Sequence, residues 1–182
     1  MTEAGRTTYE PDAQFVHPAV YPVRASVGPY FAAPETDLAH RLSTGVPELD
    51  SLIRGGGIPA ASTTLLMGGT GTGKTLLGMH FLSEGVARGE VGVYLALEET
   101  AEQLRAIGDQ FGFDLTGAEK KGLLHIHYVP PVELSTDRYL NQVRELSERV
   151  NAKRVVLDSL TSLSLGAVSE RRYKELVYAL SK

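Results

Sequence analysis

Lys74 and Thr75 close a run of glycines. Gly68, four residues, then Gly73-Lys74-Thr75 is the spacing G-x-x-x-x-G-K-[ST], and four glycines fall within Gly68–Gly73. Glycine in a strand or helix interior costs backbone entropy, so this density needs a purpose. A loop between a strand and a helix can wrap a phosphate chain when its amides converge, and the helix N-terminus adds free N–H groups and the positive end of a dipole. Gly68, Gly69, Thr70, Gly71, Thr72, Gly73, Lys74, Thr75 and Leu76 are the candidate phosphate-binding set. Lys74 would neutralise the outer phosphates, and the Thr75 hydroxyl would ligate a magnesium ion.

Hydrolysis of a bound nucleotide needs two more groups: a second metal ligand and a residue that activates water. Val155-Val156-Leu157-Asp158 offers the first, an acid emerging where a buried apolar strand ends. Glu98 and Glu99 follow the apolar strand Val91–Leu97 and offer the second. Either carboxylate can orient an attacking water, or can favour the N-terminus of the helix that follows. The sequence does not separate the two glutamates. His125 and His127 alternate along a strand as a metal pair would, but no acid sits at matching spacing, so packed histidines are expected. Lys120-Lys121 and Arg171-Arg172 read as solvated surface.

These residues need a scaffold, and the hydrophobic pattern supplies one. The apolar run Thr63–Met67 predicts a buried strand before the glycine loop, and Leu76, Leu77, Met79, Phe81, Leu82 and Val86 predict a helix after it. Further strands are expected at Val91–Leu97, Leu123–Val129 and Val155–Asp158. A short helix is expected over Pro47–Ile53, stopped by Gly55–Gly57. Thr100 and Gln103 suit a capping box for a helix running to Phe111. Tyr139, Leu140, Val143, Leu146 and Val150 form one helical stripe, and Tyr173, Leu176, Val177 and Leu180 another, begun by Ser169. Strands alternating with helices predict a mostly parallel α/β sheet.

Residues 1–37 differ. Five of the nine prolines lie there, hydrophobic periodicity is absent, and a disordered tail is expected, with the folded domain over 38–182. The chain has 182 residues, 42% of them apolar, which suffices for one domain with a substantial core. A net charge of −4 offers no whole-domain field toward DNA or an anionic membrane. The absence of cysteine excludes disulfides and thiolate metal sites. No apolar run reaches membrane-spanning length and no signal-peptide core is present, so a soluble cytoplasmic protein is expected.

The segments "TGVPELDSLIRGGGIP", "GGTGTGKT", "YLALEET" and "VVLDSLTSL" together resemble the KaiC branch of the RecA-like phosphate-loop ATPases, from about Arg41 onward. The resemblance implies that Lys74 and Thr75 bind ATP and Mg2+, that Glu98 and Glu99 are the catalytic glutamates, and that Asp158 is the Walker B acid. It implies Mg2+-dependent ATP hydrolysis driving a switch or a ring motor, a hexameric ring with ATP between subunits, regulatory protein partners and, in some members, self-phosphorylation. Two departures stand out. Ala61 occupies a place where the family usually has glycine, which puts the local turn in question. The family core also continues with further strands after the last helix seen here, so the chain is expected to lack C-terminal strands of the domain. Two other readings remain: a RadA-like recombinase coupling ATP to DNA, and a regulator that binds ATP without turnover. Tyr30-Phe31-Ala32-Ala33 is similar to the aromatic-x-x-Ala element by which recombinases dock onto a neighbouring subunit.

Overall fold

Apolar residues on both faces of one strand set the architecture. The computed structural model describes residues 40–130 and 136–180. In it β3 (Gly92–Ala96) is buried at all five positions. Parallel neighbours flank it, β4 (Leu124–Tyr128) on one side and β5 (Arg154–Asp158) on the other, in the order β4-β3-β5. Tyr94 lies opposite Ile126 and Val156, and Ala96 opposite Tyr128 and Asp158.

Alternation sends successive side chains to opposite faces. On one face Tyr94, Ala96 and Leu124 meet Met79 and Leu82 of α2 (Lys74–Ala87), Leu104 of α3 (Ala101–Phe111), and Leu115 and Ala118 of α4 (Leu115–Lys120). On the other, Val93, Leu95 and Leu97 meet Tyr139 and Val143 of α5 (Thr136–Arg149), Leu163 of α6 (Leu160–Leu165) and Leu176 of α7 (Glu170–Leu180). The fold is therefore α/β, a parallel sheet with helices on both faces. Both helical stripes expected from the sequence face this second layer: Leu140, Leu146, Val150, Tyr173, Val177 and Leu180 pack against it.

Ahead of the sheet, β1 (Arg41–Leu42) pairs antiparallel with β2 (Ile58–Pro59), enclosing α1 (Pro47–Leu52). Asp50 latches this turn: its carboxylate accepts the Thr44 N–H at 2.9 Å and the Ser43 hydroxyl at 2.7 Å. Arg154, 2% exposed, ties the turn to the sheet. Its guanidinium donates to Glu90 at 2.6 Å and to the Ser43 and Phe81 carbonyls at 2.6 and 3.0 Å, and lies 4.6 Å from the centroid of the Phe81 ring.

One expected strand does not form. Thr63–Met67 carries no strand pairing and is exposed throughout, with Leu65 at 63% and Met67 at 81%. An apolar run becomes a strand only where its backbone groups find a neighbour. Among the described residues the parallel sheet has three strands, and β5 is an edge. Thr63–Met67 pairs with neither open edge of that sheet, β4 or β5, and its residues stay exposed instead. The turn before it behaves as the departure at Ala61 suggested: Ala61 has φ +50°, the left-handed conformation that favours glycine.

The helix expected over Pro47–Ile53 ends at Leu52, and two short helices, α4 and α6, were not expected. The proline-rich segment 1–37, with its Tyr30-Phe31-Ala32-Ala33 element, lies outside the described residues. Among the described residues no helix is long and apolar enough to cross a membrane.

Candidate functional site

The glycine loop ends where α2 begins. Gly73 is the helix N-cap with φ +88°, a conformation glycine adopts without penalty. The cap has no side-chain hydrogen bond, and the first turn of α2 holds no acid. Three other helices differ. Thr100 and Gln103 form the expected capping box on α3, Asp114 caps α4 and Ser159 caps α6. The 14-residue α2 keeps its terminal N–H groups free of any side-chain acceptor, so an anion there gains both donors and dipole.

Side chains fix the loop's shape. The Thr72 hydroxyl donates to the Gly69 carbonyl at 2.9 Å, and a Cβ on Gly68 would stand 2.6 Å from that hydroxyl oxygen. Lys74 folds back across the loop and donates to the carbonyls of Gly68 and Gly69 at 3.0 and 2.8 Å. Leu76 turns the other way and packs against the core, so only its backbone amide can face a ligand. Thr70, Gly71 and Thr72 are exposed.

Thr75 and Asp158 meet across 83 positions of sequence. The Thr75 hydroxyl donates to Asp158 Oδ2 at 2.6 Å, and the Tyr94 hydroxyl donates to the same oxygen at 2.8 Å. With its proton committed to Asp158, the Thr75 oxygen still has a lone pair to offer a cation. An alcohol and a carboxylate are hard oxygen ligands, the kind Mg2+ takes. Burial first, and then the Asp158 charge, push the Tyr94 hydroxyl far above its ordinary range, so it remains a donor.

The two glutamates have different surroundings. Glu98 Oε1 accepts from the Ser162 hydroxyl at 2.6 Å and from the Ser159 hydroxyl. Those two bonds, with a smaller contribution from the Lys74 charge, hold its carboxyl below the usual range. Glu99 is pushed up, chiefly by burial and then by the Asp158 charge. The electrostatics thus couple Glu98 to the loop lysine and Glu99 to Asp158.

Other candidates stay apart. Burial pushes the His127 imidazole below its usual range, and its Nε2 has no hydrogen-bond partner among the described residues. Among those residues no group of three His, Cys, Asp or Glu could hold a metal ion. Arg171 and Arg172 pair with Glu175 at 2.8 and 3.0 Å on the surface of α7. The sequence reading missed Tyr94, Ser159 and Ser162. Tyr94 looks like any aromatic in a buried strand. Ser159 and Ser162 stand three apart after the strand-ending acid, which is a cap signal that was available.

A parallel α/β sheet, an uncapped helix behind a glycine loop, and an acid at the end of a neighbouring strand define a phosphate-loop nucleotide-binding domain. Comparison with known proteins narrows the class. The family model "ATPase: KaiC" matches residues 42–182, and the chain belongs to that family. The UPF0273 protein PH0284 of Pyrococcus horikoshii is 36% identical over 141 residues, 69% of this chain and 57% of that protein. The circadian clock oscillator protein KaiC of Picosynechococcus is 35% identical over 141 residues, 78% of this chain and 27% of that one. The crystal structure of the KaiC-like protein PH0186 from Pyrococcus horikoshii superposes with a TM-score of 0.70 at 38% identity, covering 78% of this chain and 63% of that one. The chain therefore spans little more than half the length of the UPF0273 relative.

Proposed function

We propose that this ATPase-family domain binds ATP with Mg2+ at Gly68–Leu76 and hydrolyses it, the nucleotide state serving as a switch within a ring of identical subunits. The observation that carries the reading is the Thr75–Asp158 hydrogen bond of 2.6 Å, which joins the loop to the strand-ending acid. In this reading the loop amides and the α2 N-terminus bind the β- and γ-phosphates, and the Lys74 ammonium neutralises their outer oxygens. Thr75 and Asp158 would hold Mg2+, which withdraws charge from the phosphates when bound.

Glu98 is the better placed of the two acids to orient the attacking water. Its carboxylate is ionised, fixed by two serine hydroxyls through Oε1, and within electrostatic range of Lys74. Oε2 then accepts the hydrogen bond from water and holds it in line with the γ-phosphorus. Glu99 acts beside Asp158 as a second negative group. The domain is assigned to 38–182 and residues 1–37 to a tail; a hexameric, cytoplasmic assembly with regulatory protein partners follows the family. The net charge of −4 gives the DNA-coupled alternative no support.

The test is phosphate release from ATP with Mg2+ and with EDTA. The Glu98→Gln variant should bind ATP as the wild type does and turn over about a hundredfold more slowly or worse. Wild-type turnover in that variant would reassign Glu98 to anchoring α6. Tight ATP binding by the wild type without phosphate release would favour a non-hydrolysing regulator.

A further inference from the structure

We infer that Tyr94 is a positioning residue for the metal-binding acid, and that its hydroxyl sets the part of nucleotide affinity that depends on Mg2+. The inference rests on the Mg2+–ATP reading above. Tyr94 lies at the middle of the central strand, 1% exposed, and its neighbour in register on β5 is Val156, two residues before Asp158. From there it donates to Asp158 Oδ2 at 2.8 Å, the same oxygen that accepts the Thr75 hydroxyl at 2.6 Å.

Two donors on one carboxylate oxygen have a directional consequence. Oδ2 has its lone pairs occupied, and the plane of the carboxylate is fixed by bonds from two different elements, β3 and α2. None of the described hydrogen bonds uses Oδ1, which is left as the oxygen to face a cation or a water of its hydration shell. Octahedral Mg2+ tolerates little error in ligand placement. A donor that orients a carboxylate ligand from behind is the kind of partner whose loss weakens metal affinity without touching the metal.

Burial makes the donor reliable. Tyr94 is 1% exposed within a strand buried at every position, which holds its ring and hydroxyl in place. Without it, Thr75 alone would hold Asp158, and Thr75 is itself a ligand that must keep its oxygen aimed at the ion. Tyr94 therefore relieves Thr75 of the orienting role. Phosphate contacts made by the loop amides and Lys74 do not pass through Tyr94, so they are unaffected by its hydroxyl.

The experiment measures ATP affinity by calorimetry in EDTA and in saturating Mg2+, for the wild type, Tyr94→Phe, and a variant with p-aminophenylalanine at position 94. The wild type should bind more tightly in Mg2+. Tyr94→Phe should keep the EDTA affinity and lose about tenfold of the Mg2+ affinity. The amino group restores a donor on the same ring position and should restore most of that loss. Direct Mn2+ binding by electron paramagnetic resonance in the presence of a non-hydrolysable ATP analogue should weaken in parallel. Equal affinities for wild type and Tyr94→Phe in Mg2+, or equal losses in EDTA and Mg2+, would overturn the role. Should the Phe variant fail to fold, p-fluorophenylalanine at position 94, which fills the hydroxyl's space without donating a hydrogen bond, decides instead: a lost Mg2+ gain supports the role and a wild-type gain overturns it. A wild type that shows no Mg2+ gain at all would instead sink the underlying Mg2+–ATP reading.

Discussion

Glu98 and Glu99 are adjacent in sequence and opposite in electrostatic character, which makes their contributions separable by pH. The Glu98 carboxyl is held low by the Ser159 and Ser162 hydroxyls. A depressed carboxyl contributes stability above its unfolded-state value and loses it as pH falls through the folded one. Glu99 is raised by burial and by Asp158, so its ionised form opposes folding and the cost appears as pH rises through its folded value. In EDTA, Glu98→Gln should therefore flatten the acid limb of a melting-temperature profile, and Glu99→Gln should raise the melting temperature near neutral pH. Thermal melts from mildly acidic to neutral pH check both; identical profiles for the two variants would contradict this assignment of environments. At this scale much was legible. The loop lysine, Thr75, Asp158 and the glutamate pair follow from residue type and spacing. Their separate environments do not, because they depend on Ser159 and Ser162 and on Tyr94, whose hydroxyls reach the site through the fold.

The elements around the loop were less legible. Thr63–Met67 has the composition of a buried strand yet lies exposed, because composition reports what a segment could bury and not whether a neighbour is there to pair with it. The segment runs straight into Gly68, whose carbonyl accepts from Lys74, so its end is tethered to the site. If phosphate binding fixes the loop, amide hydrogen exchange over Thr63–Met67 should slow when ATP and Mg2+ are added. Unchanged exchange there, with ATP demonstrably bound, would show the segment to be independent of the loop. A second prediction concerns its entry. Ala61 at φ +50° carries a left-handed backbone that glycine would adopt freely. Ala61→Gly removes a steric cost of about 1 kcal/mol and adds unfolded-state entropy of similar size, so the net gain should be below about 1 kcal/mol. A shifted denaturation midpoint with unchanged slope checks this, and a clear loss of stability would contradict it.

Across the whole molecule one buried cation joins regions far apart in sequence. Arg154 connects the turn at Ser43, the carbonyl of Phe81 in α2, and Glu90 at the approach to β3. Arg154→Met would keep much of the side-chain volume but leave two carbonyls and Glu90 without their donor. The cost should be about 3 kcal/mol, at the lower end for a broken buried pair because Glu90 keeps partial contact with water. Chemical denaturation checks it; a change within error would mean that water or the Phe81 ring compensates. This residue was invisible in the sequence, where it reads as a polar lead-in to an apolar strand. The α/β layering, by contrast, was readable from alternation alone, because both faces of β3 are buried and the helical stripes had only one sheet to cover.

All of these scales converge on Lys74. Its ammonium lies over the glycine loop, in contact with loop carbonyls and outside the core, so its charge should matter to a ligand and little to the fold. The most direct measurement is an ATP titration by calorimetry in Mg2+ for the wild type and Lys74→Ala, with melting temperatures of both recorded without ligand. The account predicts saturable binding by the wild type, affinity lower by about tenfold to a hundredfold in the variant, and melting temperatures that agree closely. Failure of the wild type to bind ATP, or equal affinity in Lys74→Ala, would contradict it.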